Sequence, residues 1–303
     1  MNAHKKGLLY GIIASISWGT LWPFSKYIIE YYPAVSPFYM SFLRFFSAAL
    51  VVFAIFIIKK DRAFFTTLKK SWFLSLILAF FGMFGMGCLI FFSIQYTSTV
   101  NSALLMNSNT LFIILLSVFI GEKITRVKAV GAILGFSGCY LIINDGFAFN
   151  FFSSATLKGD LLALGSAVCW AIYTVIGRVK VKKVDPTHLS ALNFFFGSLM
   201  ILVLALFLKI PATDLFKPIP FIFLLYIGII PTAYGFTIWY YALEHVEAGT
   251  LGLFQFIVPL MTATTGIILF HEKFTFFTFL GMILIMTGIF FSGKYAGVKP
   301  AGD

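Results

Sequence analysis

Charged residues are scarce in this sequence. Only 11% of its 303 residues are Asp, Glu, Lys or Arg, whereas about a quarter of a typical soluble domain is charged. So little charge cannot cover a soluble fold, which excludes an ordinary globular protein and indicates the lipid bilayer as the solvent. Nucleic acid is not expected as a partner despite the net charge of +11. The basic residues lie in short clusters between apolar runs, as they do beside anionic lipid headgroups.

Cysteines and catalytic motifs are also sparse. The three cysteines, which lie inside apolar runs without CxxC spacing, are Cys88, Cys139 and Cys169. We interpret them as packing residues and expect no metal or redox site. His271 and Glu272 begin a phrase like the zinc-protease motif HExxH, but Thr275 replaces its second His. The phosphate-cradling loop GxxxxGK[ST] is absent as well, so we expect no cofactor and no enzymatic activity.

Long apolar runs occur ten times in the chain, and each can cross a hydrocarbon core of about 30 Å as a helix. The sequence therefore predicts an all-α, polytopic integral membrane protein with ten transmembrane helices. The predicted spans, numbered one to ten, are residues 7–28, 38–58, 72–94, 98–120, 128–145, 158–178, 189–208, 220–243, 248–270 and 276–293. We expect Pro23 to interrupt span one and Pro231 to interrupt span eight.

The basic residues are distributed unevenly between the two sides of these spans. With the N-terminus inside, the inner segments hold 16 Lys and Arg residues and the outer segments hold 5, while Arg44 lies within a span. Cytoplasmic segments of membrane proteins are enriched in Lys and Arg. The bias predicts a multi-pass protein of the cytoplasmic membrane with both termini on the cytoplasmic side.

The chain repeats itself after a shift of 150 residues. Aligned pairs are Glu122 with Glu272, Lys123 with Lys273, Gly138 with Gly288 and, where the shift is 152, Trp18 with Trp170. The predicted domains are a first repeat at 1–145, a connecting loop at 146–157 and a second repeat at 158–303. Because each repeat has an odd number of spans, the second must cross the membrane in the opposite direction. Inverted repeats of this kind are typical of secondary transporters.

Several short motifs together resemble one family. GEKIT, HEKFT, FIVPL and FLRFFSAAL resemble the EamA family of the drug/metabolite transporter superfamily, and the similarity covers nearly the whole chain. The resemblance implies a ten-helix carrier of small metabolites, often an exporter, in which spans one to four and six to nine line a central cavity. The sequence departs from the family at Asn109, where a Pro matching Pro259 is often found. The family's kink in span four is therefore not predicted here.

Polar and aromatic residues inside the spans are the candidate substrate-binding residues. They are Trp18, Trp22, Arg44, Asn101, Asn107, Trp170, Tyr173, Tyr234 and Gln255. Amides buried in lipid can bind a substrate or simply join helices, and aromatic walls suit amphipathic ligands. Arg44 is either a receptor for a carboxylate or phosphate or a structural anchor. We interpret Trp239 and Tyr241 as belt residues near a rim.

The expected function is that of a secondary transporter that moves amino acids or related amphipathic metabolites, most plausibly outward. All 11 acidic residues fall at span ends or in loops, which favours a facilitator or exchanger, with proton coupling at an edge residue such as Glu244 as the alternative. Gly131 and Gly135 predict close helix packing, either within the subunit or in a homodimer through spans five and ten. The alternative functions are a non-transporting scaffold or sensor and an intramembrane lipid-modifying enzyme.

Overall fold

The computed structural model of the protein describes residues 2–97, 99–146, 155–270 and 273–295. All regular secondary structure in these ranges is helical. Glu272, which carries the second copy of the repeated charged phrase, lies outside the described residues, as does most of the predicted connecting loop 146–157.

Fourteen α-helices and two π-helical segments make up the described bundle. The α-helices are α1 (Ala3–Tyr31), α2 (Pro37–Ile58), α3 (Ala63–Ala79), α4 (Met86–Ser93), α5 (Thr99–Asn107), α6 (Asn109–Ser117), α7 (Arg126–Asn144), α8 (Leu157–Lys180), α9 (Pro186–Phe207), α10 (Pro218–Ile227), α11 (Gly235–His245), α12 (Ala248–Phe254), α13 (Ile257–Phe270) and α14 (Phe276–Tyr295). The π-helical segments are π1 (Phe80–Gly85) and π2 (Gly228–Tyr234), and Val118–Ile120 forms a 3₁₀ turn.

Helix starts follow from local capping chemistry. The Ser36 hydroxyl accepts the backbone N–H of Phe38, and Pro37 occupies the first turn of α2, where a missing N–H costs nothing. Thr125 caps α7 in the same way by accepting the N–H of Lys128. These caps fix where the chain enters each span.

The fold class predicted from composition is confirmed. Eight helical stretches of the described chain are long and apolar enough to cross a membrane, as expected of a polytopic membrane protein. The count of ten stays a prediction. The 29-residue α1 is outside the eight, and α14 contributes only a shorter apolar stretch, Phe276–Phe291.

Four predicted spans, three, four, eight and nine, are not continuous α-helices. Span eight changes to a π-helix around Pro231, which lacks the N–H that an α-helix needs, and span three has a π-helix at the corresponding place. Span nine is interrupted between α12 and α13. By contrast, Pro23 lies inside a continuous α1, so the interruption expected there is wrong.

Span four is interrupted at Ser108 although it has no proline. The Ser108 backbone N–H donates to the carbonyl of Leu105, three residues back, and its hydroxyl donates to the same oxygen at 2.5 Å. The side-chain amide of Asn107 donates to the carbonyl of Ala103 at 2.8 Å. Polar side chains therefore compete for helical carbonyls at this interruption, an effect that destabilises and bends helices.

Glycines allow α7 and α14 to pack closely within the chain. A Cβ atom on Gly138 would lie 2.6 Å from the carbonyl oxygen of Gly281, and one on Gly288 would lie 3.0 Å from that of Gly131. The contact order is reversed along the two helices, so they are antiparallel. Gly135 faces the ring of Phe256. The glycines of spans five and ten thus serve packing within the subunit, and the homodimer stays an untested prediction.

Candidate functional site

Five rings from three helices meet in the interior of the bundle. This aromatic cluster consists of Trp18 of α1, Trp170 and Tyr173 of α8, and Phe236 and Trp239 of α11. The Trp18 ring lies 5.4 Å from that of Trp170 and 5.1 Å from that of Trp239, measured between centroids. Phe236 lies 5.5 Å from Trp170. The edge-to-face geometry of Trp18 with Trp170 and Phe236 is the favourable one for aromatic pairs.

Two glycines make room for these rings. A Cβ atom on Gly235 would lie 2.9 Å from the Trp18 indole nitrogen, and one on Gly82 would lie 2.3 Å from Cδ2 of Tyr173. Gly82 belongs to π1 and Gly235 directly follows π2. The irregular turns of spans three and eight therefore lie directly beside the cluster.

Two amide side chains, those of Gln255 and Asn193, lie next to the cluster. The indole Nε1–H of Trp170 donates to Oε1 of Gln255 at 2.9 Å, and the amide of Asn193 donates to the Tyr240 hydroxyl at 2.9 Å. Gln255 lies at the interruption between α12 and α13, which brings its side chain to α8. Thr110 of α6 bonds the Gly252 carbonyl at 2.9 Å, so the interrupted spans four and nine are also joined.

Several buried polar atoms around the cluster have no hydrogen-bond partner in the described protein. They include Nε1 of Trp18, Nε1 of Trp239, Nε2 of Gln255 and Oδ1 of Asn193. Leaving a buried donor or acceptor without a hydrogen bond costs about 1–3 kcal/mol. Native structures keep few such groups. These four atoms offer three donors and one acceptor beside aromatic surfaces, which suits an amphipathic small molecule.

Arg44 of α2 borders the cluster. Its Nε donates to the hydroxyl of Thr232 in π2 at 2.8 Å. Its Cζ lies 4.6 Å from the ring centroid of Phe45 and 5.7 Å from that of Phe236, within the range of cation–π attraction. Phe236, which belongs to the aromatic cluster, therefore also contacts Arg44.

The structure brings together only some of the predicted site residues. Trp18, Trp170, Tyr173 and Gln255 meet directly, and Arg44 joins them through Phe236. Trp22 and Tyr234 are 45% and 50% exposed and lie outside the cluster. Asn107 shapes the interruption of span four instead.

Asn101 belongs to a different polar group at the start of α8. Its amide donates to the hydroxyl of Thr97 at 3.3 Å, and this hydroxyl donates to Asp160 at 2.7 Å. Asp160 is fully buried and also accepts a hydrogen bond from Thr156 at 2.8 Å. The contacts of Asn101 therefore join spans four and six at one end of the bundle.

Sequence reasoning missed or misplaced three residues of the site. Asn193 is fully buried beside Tyr240 and is an amide inside predicted span seven, so the search that selected Asn101 would also have selected it. The interpretation of Trp239 as a belt residue is wrong, because its side chain is fully buried against Trp18. Phe236 carried no signal, since the chain contains 39 Phe residues.

Four charged side chains join the two halves at the end of the bundle where α1 begins, here called the N-terminal face. This clasp consists of Glu122, Lys128, Arg178 and Glu247. Glu122 is buried and accepts the backbone N–H groups of Ala248 and Gly249 at 2.7 and 2.9 Å. A carboxylate at the first N–H groups of a helix is a favourable arrangement.

The rest of the clasp holds Glu122 in place. Arg178 Nε lies 3.7 Å from Glu122, and an Arg178 Nη donates to the Leu243 carbonyl. Lys128 pairs with Glu247 at 2.7 Å. A cleft of about 340 Å³ next to the clasp is lined by Glu122, Arg178, Lys182 and Glu247, among others. Because both acidic and basic side chains line this cleft, we interpret it as part of a contact between the two halves and not as a binding site for an anion.

Asp61 and His188 form a second tie on the N-terminal face. Asp61 Oδ2 lies 2.7 Å from His188 Nε2, and Thr67 Oγ1 lies 3.1 Å from His188 Nδ1. The hydrogen bond with His188 lowers the pKa of the Asp61 carboxyl below its ordinary value. Asp61 follows α2 and His188 begins α9, so this contact also joins the two halves.

The lowered pKa of Asp61 predicts a pH-dependent contribution to stability. The carboxylate form is favoured in the folded protein, so the contribution is present above the ordinary Asp pKa of about 3.9. It is lost as pH falls through the lower folded pKa. Thermal unfolding in detergent should show a larger stability loss between pH 7 and pH 3 for the wild type than for Asp61→Asn. Equal losses in both proteins would contradict this assignment.

The chain matches known transporters along most of its length. The model of the EamA-like transporter family matches residues 5–144 and 157–293. An uncharacterized transporter of Archaeoglobus fulgidus is 30% identical over 256 residues, which cover 84% of this chain and 87% of the relative. The uncharacterized transporter YyaM of Bacillus subtilis is 27% identical over 281 residues, which cover 91% and 89%. One solved crystal structure shares the fold, with a TM-score of 0.84 and 21% identity over 96% of this chain and 98% of that chain.

These matches agree with the features already described. The family model covers both halves of the helical bundle, and the matching relatives are transporters by name. They confirm the resemblance found in the short motifs and support a multi-pass membrane transporter. The chain belongs to the EamA-like transporter family.

Proposed function

We propose that this transporter is a secondary carrier that moves amino acids or related amphipathic organic compounds across the cytoplasmic membrane, with export as the working direction. The observation that carries the proposal is the set of unpartnered polar atoms around the aromatic cluster. The cluster and its amides come from α1, α8, α9, α11 and the junction of α12 and α13. An amphipathic ligand would supply the missing hydrogen bonds and contact the rings.

Alternating access is the proposed mechanism, and contacts between equivalent glycines support it. A Cβ atom on Gly85 would lie 3.3 Å from Sγ of Cys169, and one on Gly235 would lie 2.6 Å from Oγ of Ser17. Under the shifts of 150 and 152 residues, these two contacts are the same contact in the two repeats. Equivalent helices α7 and α14 also run antiparallel. Both features are expected of inverted repeats that exchange conformations around a shared site.

The clasp is proposed to close the cytoplasmic end of the transport path. The excess of basic residues supports a cytoplasmic location of the N-terminal face under the positive-inside rule. Glu122 bridges the end of span four to the start of span nine, which belong to different repeats. A path open to the cytoplasm would require these contacts to separate. Under this proposal, the described conformation has the cytoplasmic end closed.

Transport by purified protein tests the central site. We expect Gln255→Leu to lower the initial rate of uptake into proteoliposomes at least about tenfold, because the Trp170 indole N–H loses its acceptor inside the bundle. Trp170→Phe, which removes the same hydrogen bond from the other partner, should have a comparable effect. Uptake should be measured over a panel of amino acids, with and without an imposed pH gradient.

Trp72→Phe is the matched control because Trp72 is 51% exposed on α3, away from the cluster. It should transport like the wild type. Asn101→Leu tests the amide that lies outside the cluster: a lower uptake rate would support a role of Asn101 in transport, and wild-type uptake would exclude it. Wild-type uptake rates in both Gln255→Leu and Trp170→Phe would contradict the proposal that the aromatic cluster takes part in transport. Lipid turnover without solute flux would indicate an enzyme, and absence of both would favour a scaffold or sensor.

A further inference from the structure

Arg44 carries a positive charge inside a membrane span. It lies seven residues after the start of α2, about 10 Å along the helix axis. Among the described residues, no acidic side chain pairs with it, and its polar contact is the neutral hydroxyl of Thr232. A cation held inside a membrane span without a counter-ion is costly.

The contacts of Arg44 fix the orientation of its guanidinium. The Thr232 hydroxyl donates to the carbonyl of Ile227 at 2.8 Å, so its lone pairs face the Arg44 Nε–H. The rings of Phe45 and Phe236 lie beside Cζ. With Nε bound to Thr232, no described residue accepts a hydrogen bond from the two terminal nitrogens. That pair is the fork that matches a carboxylate through two parallel hydrogen bonds.

The surroundings select the chemistry of the ligand. A single positive charge acts here, with no other charged side chain of the described chain against it. One monoanion neutralises this charge, whereas a phosphate dianion would leave an excess negative charge in an apolar setting. Phe236 connects the guanidinium to the aromatic cluster. A ligand that reaches both therefore has a carboxylate at one end and an apolar or aromatic body.

We propose that Arg44 binds the carboxylate of the transported compound and that Phe236 and the aromatic cluster receive its apolar part. This inference rests on the proposed carrier function and narrows its substrates to amphipathic monocarboxylates. Thr232 acts as a positioning residue that holds the guanidinium. The site is asymmetric because the repeat counterpart of Arg44 is Phe194, an uncharged residue.

Ligand-induced thermal stabilisation of the purified protein in detergent tests this site without any transport measurement. The probes are 3-phenylpropionate, its neutral analogue 3-phenylpropan-1-ol, and phenyl phosphate. We expect 3-phenylpropionate to raise the unfolding midpoint of the wild type, with little effect from the other two. Arg44→Gln should bind it at least about 30-fold more weakly. Thr232→Val should weaken binding less, and Arg44→Lys should restore part of it.

Arg62→Gln is the matched control, because Arg62 is exposed in the turn after α2. It should bind 3-phenylpropionate like the wild type. The inference is overturned if wild type responds equally to the alcohol, prefers phenyl phosphate, or responds to none of the probes. It is also overturned if Arg44→Gln binds the carboxylate with unchanged affinity. Carboxylate binding without solute flux would defeat only the carrier function, while full carboxylate transport by Arg44→Gln would defeat only the site.

Discussion

Replacing Glu122 with Ala is expected to destabilise the protein by about 3 kcal/mol, because a buried, hydrogen-bonded carboxylate is lost from a charged cluster. The N–H groups of Ala248 and Gly249 would lose their acceptor, and Arg178 would lose its nearest carboxylate. Lys128 would keep Glu247. The measurement is the midpoint of thermal unfolding in detergent.

The controls for this prediction separate burial from charge. Glu244→Ala removes an exposed carboxylate on the same face and should leave the midpoint nearly unchanged, since exposed charges contribute about 0–1 kcal/mol. Glu122→Gln keeps one carbonyl oxygen as an acceptor and should fall between the two. If Glu122→Ala unfolds at the same temperature as Glu244→Ala, the clasp does not stabilise this conformation.

Gly138→Ala is expected to be the more damaging of two single-methyl additions. The new Cβ would lie 2.6 Å from the Gly281 carbonyl oxygen and 3.1 Å from the Ile285 nitrogen. Both are backbone atoms, so α7 and α14 must move apart. Overpacking of this kind costs about 1–3 kcal/mol. The gain from Ala over Gly in a helix, about 0.5–1 kcal/mol, does not offset it.

Gly87→Ala supplies the comparison because no atom lies within 4 Å of the added methyl group. It lies in α4 and should be as stable as the wild type or slightly more stable, through the helix preference for Ala. Thermal unfolding of both variants gives the answer. Equal stability of Gly138→Ala and Gly87→Ala would mean that α7 and α14 are not held by close glycine packing.

Helix boundaries were predictable where charge or a cap ends an apolar run. Span two was predicted at 38–58 and is Pro37–Ile58, and span five was predicted at 128–145 and is Arg126–Asn144. Burial in lipid leaves a strong hydropathy signal at such edges. The interruption at Ser108 left no such signal, because it arises from side chains that compete for carbonyls within one turn.

The residue types of the candidate site were predictable from the sequence, but their arrangement in space was not. Polar residues and Trp residues within predicted spans indicate Gln255, Trp18 and Trp170 as candidates from the sequence alone. Their neighbours Trp239 and Phe236 come from a helix more than 200 residues from Trp18 in sequence. Such contacts depend on how the spans pack, which a single sequence with many aromatic residues does not specify.

Labelling from the two sides of the membrane tests the inverted arrangement most directly. Lys123 and Lys273 align in the repeat and are both exposed, so a cysteine at either position is accessible to a membrane-impermeant maleimide. The experiment uses intact cells and variants in which Cys88, Cys139 and Cys169 are replaced. The account predicts that Lys273→Cys is labelled from outside and Lys123→Cys only after permeabilisation. Labelling of both positions from the same side would contradict inverted repeats and the alternating access that depends on them.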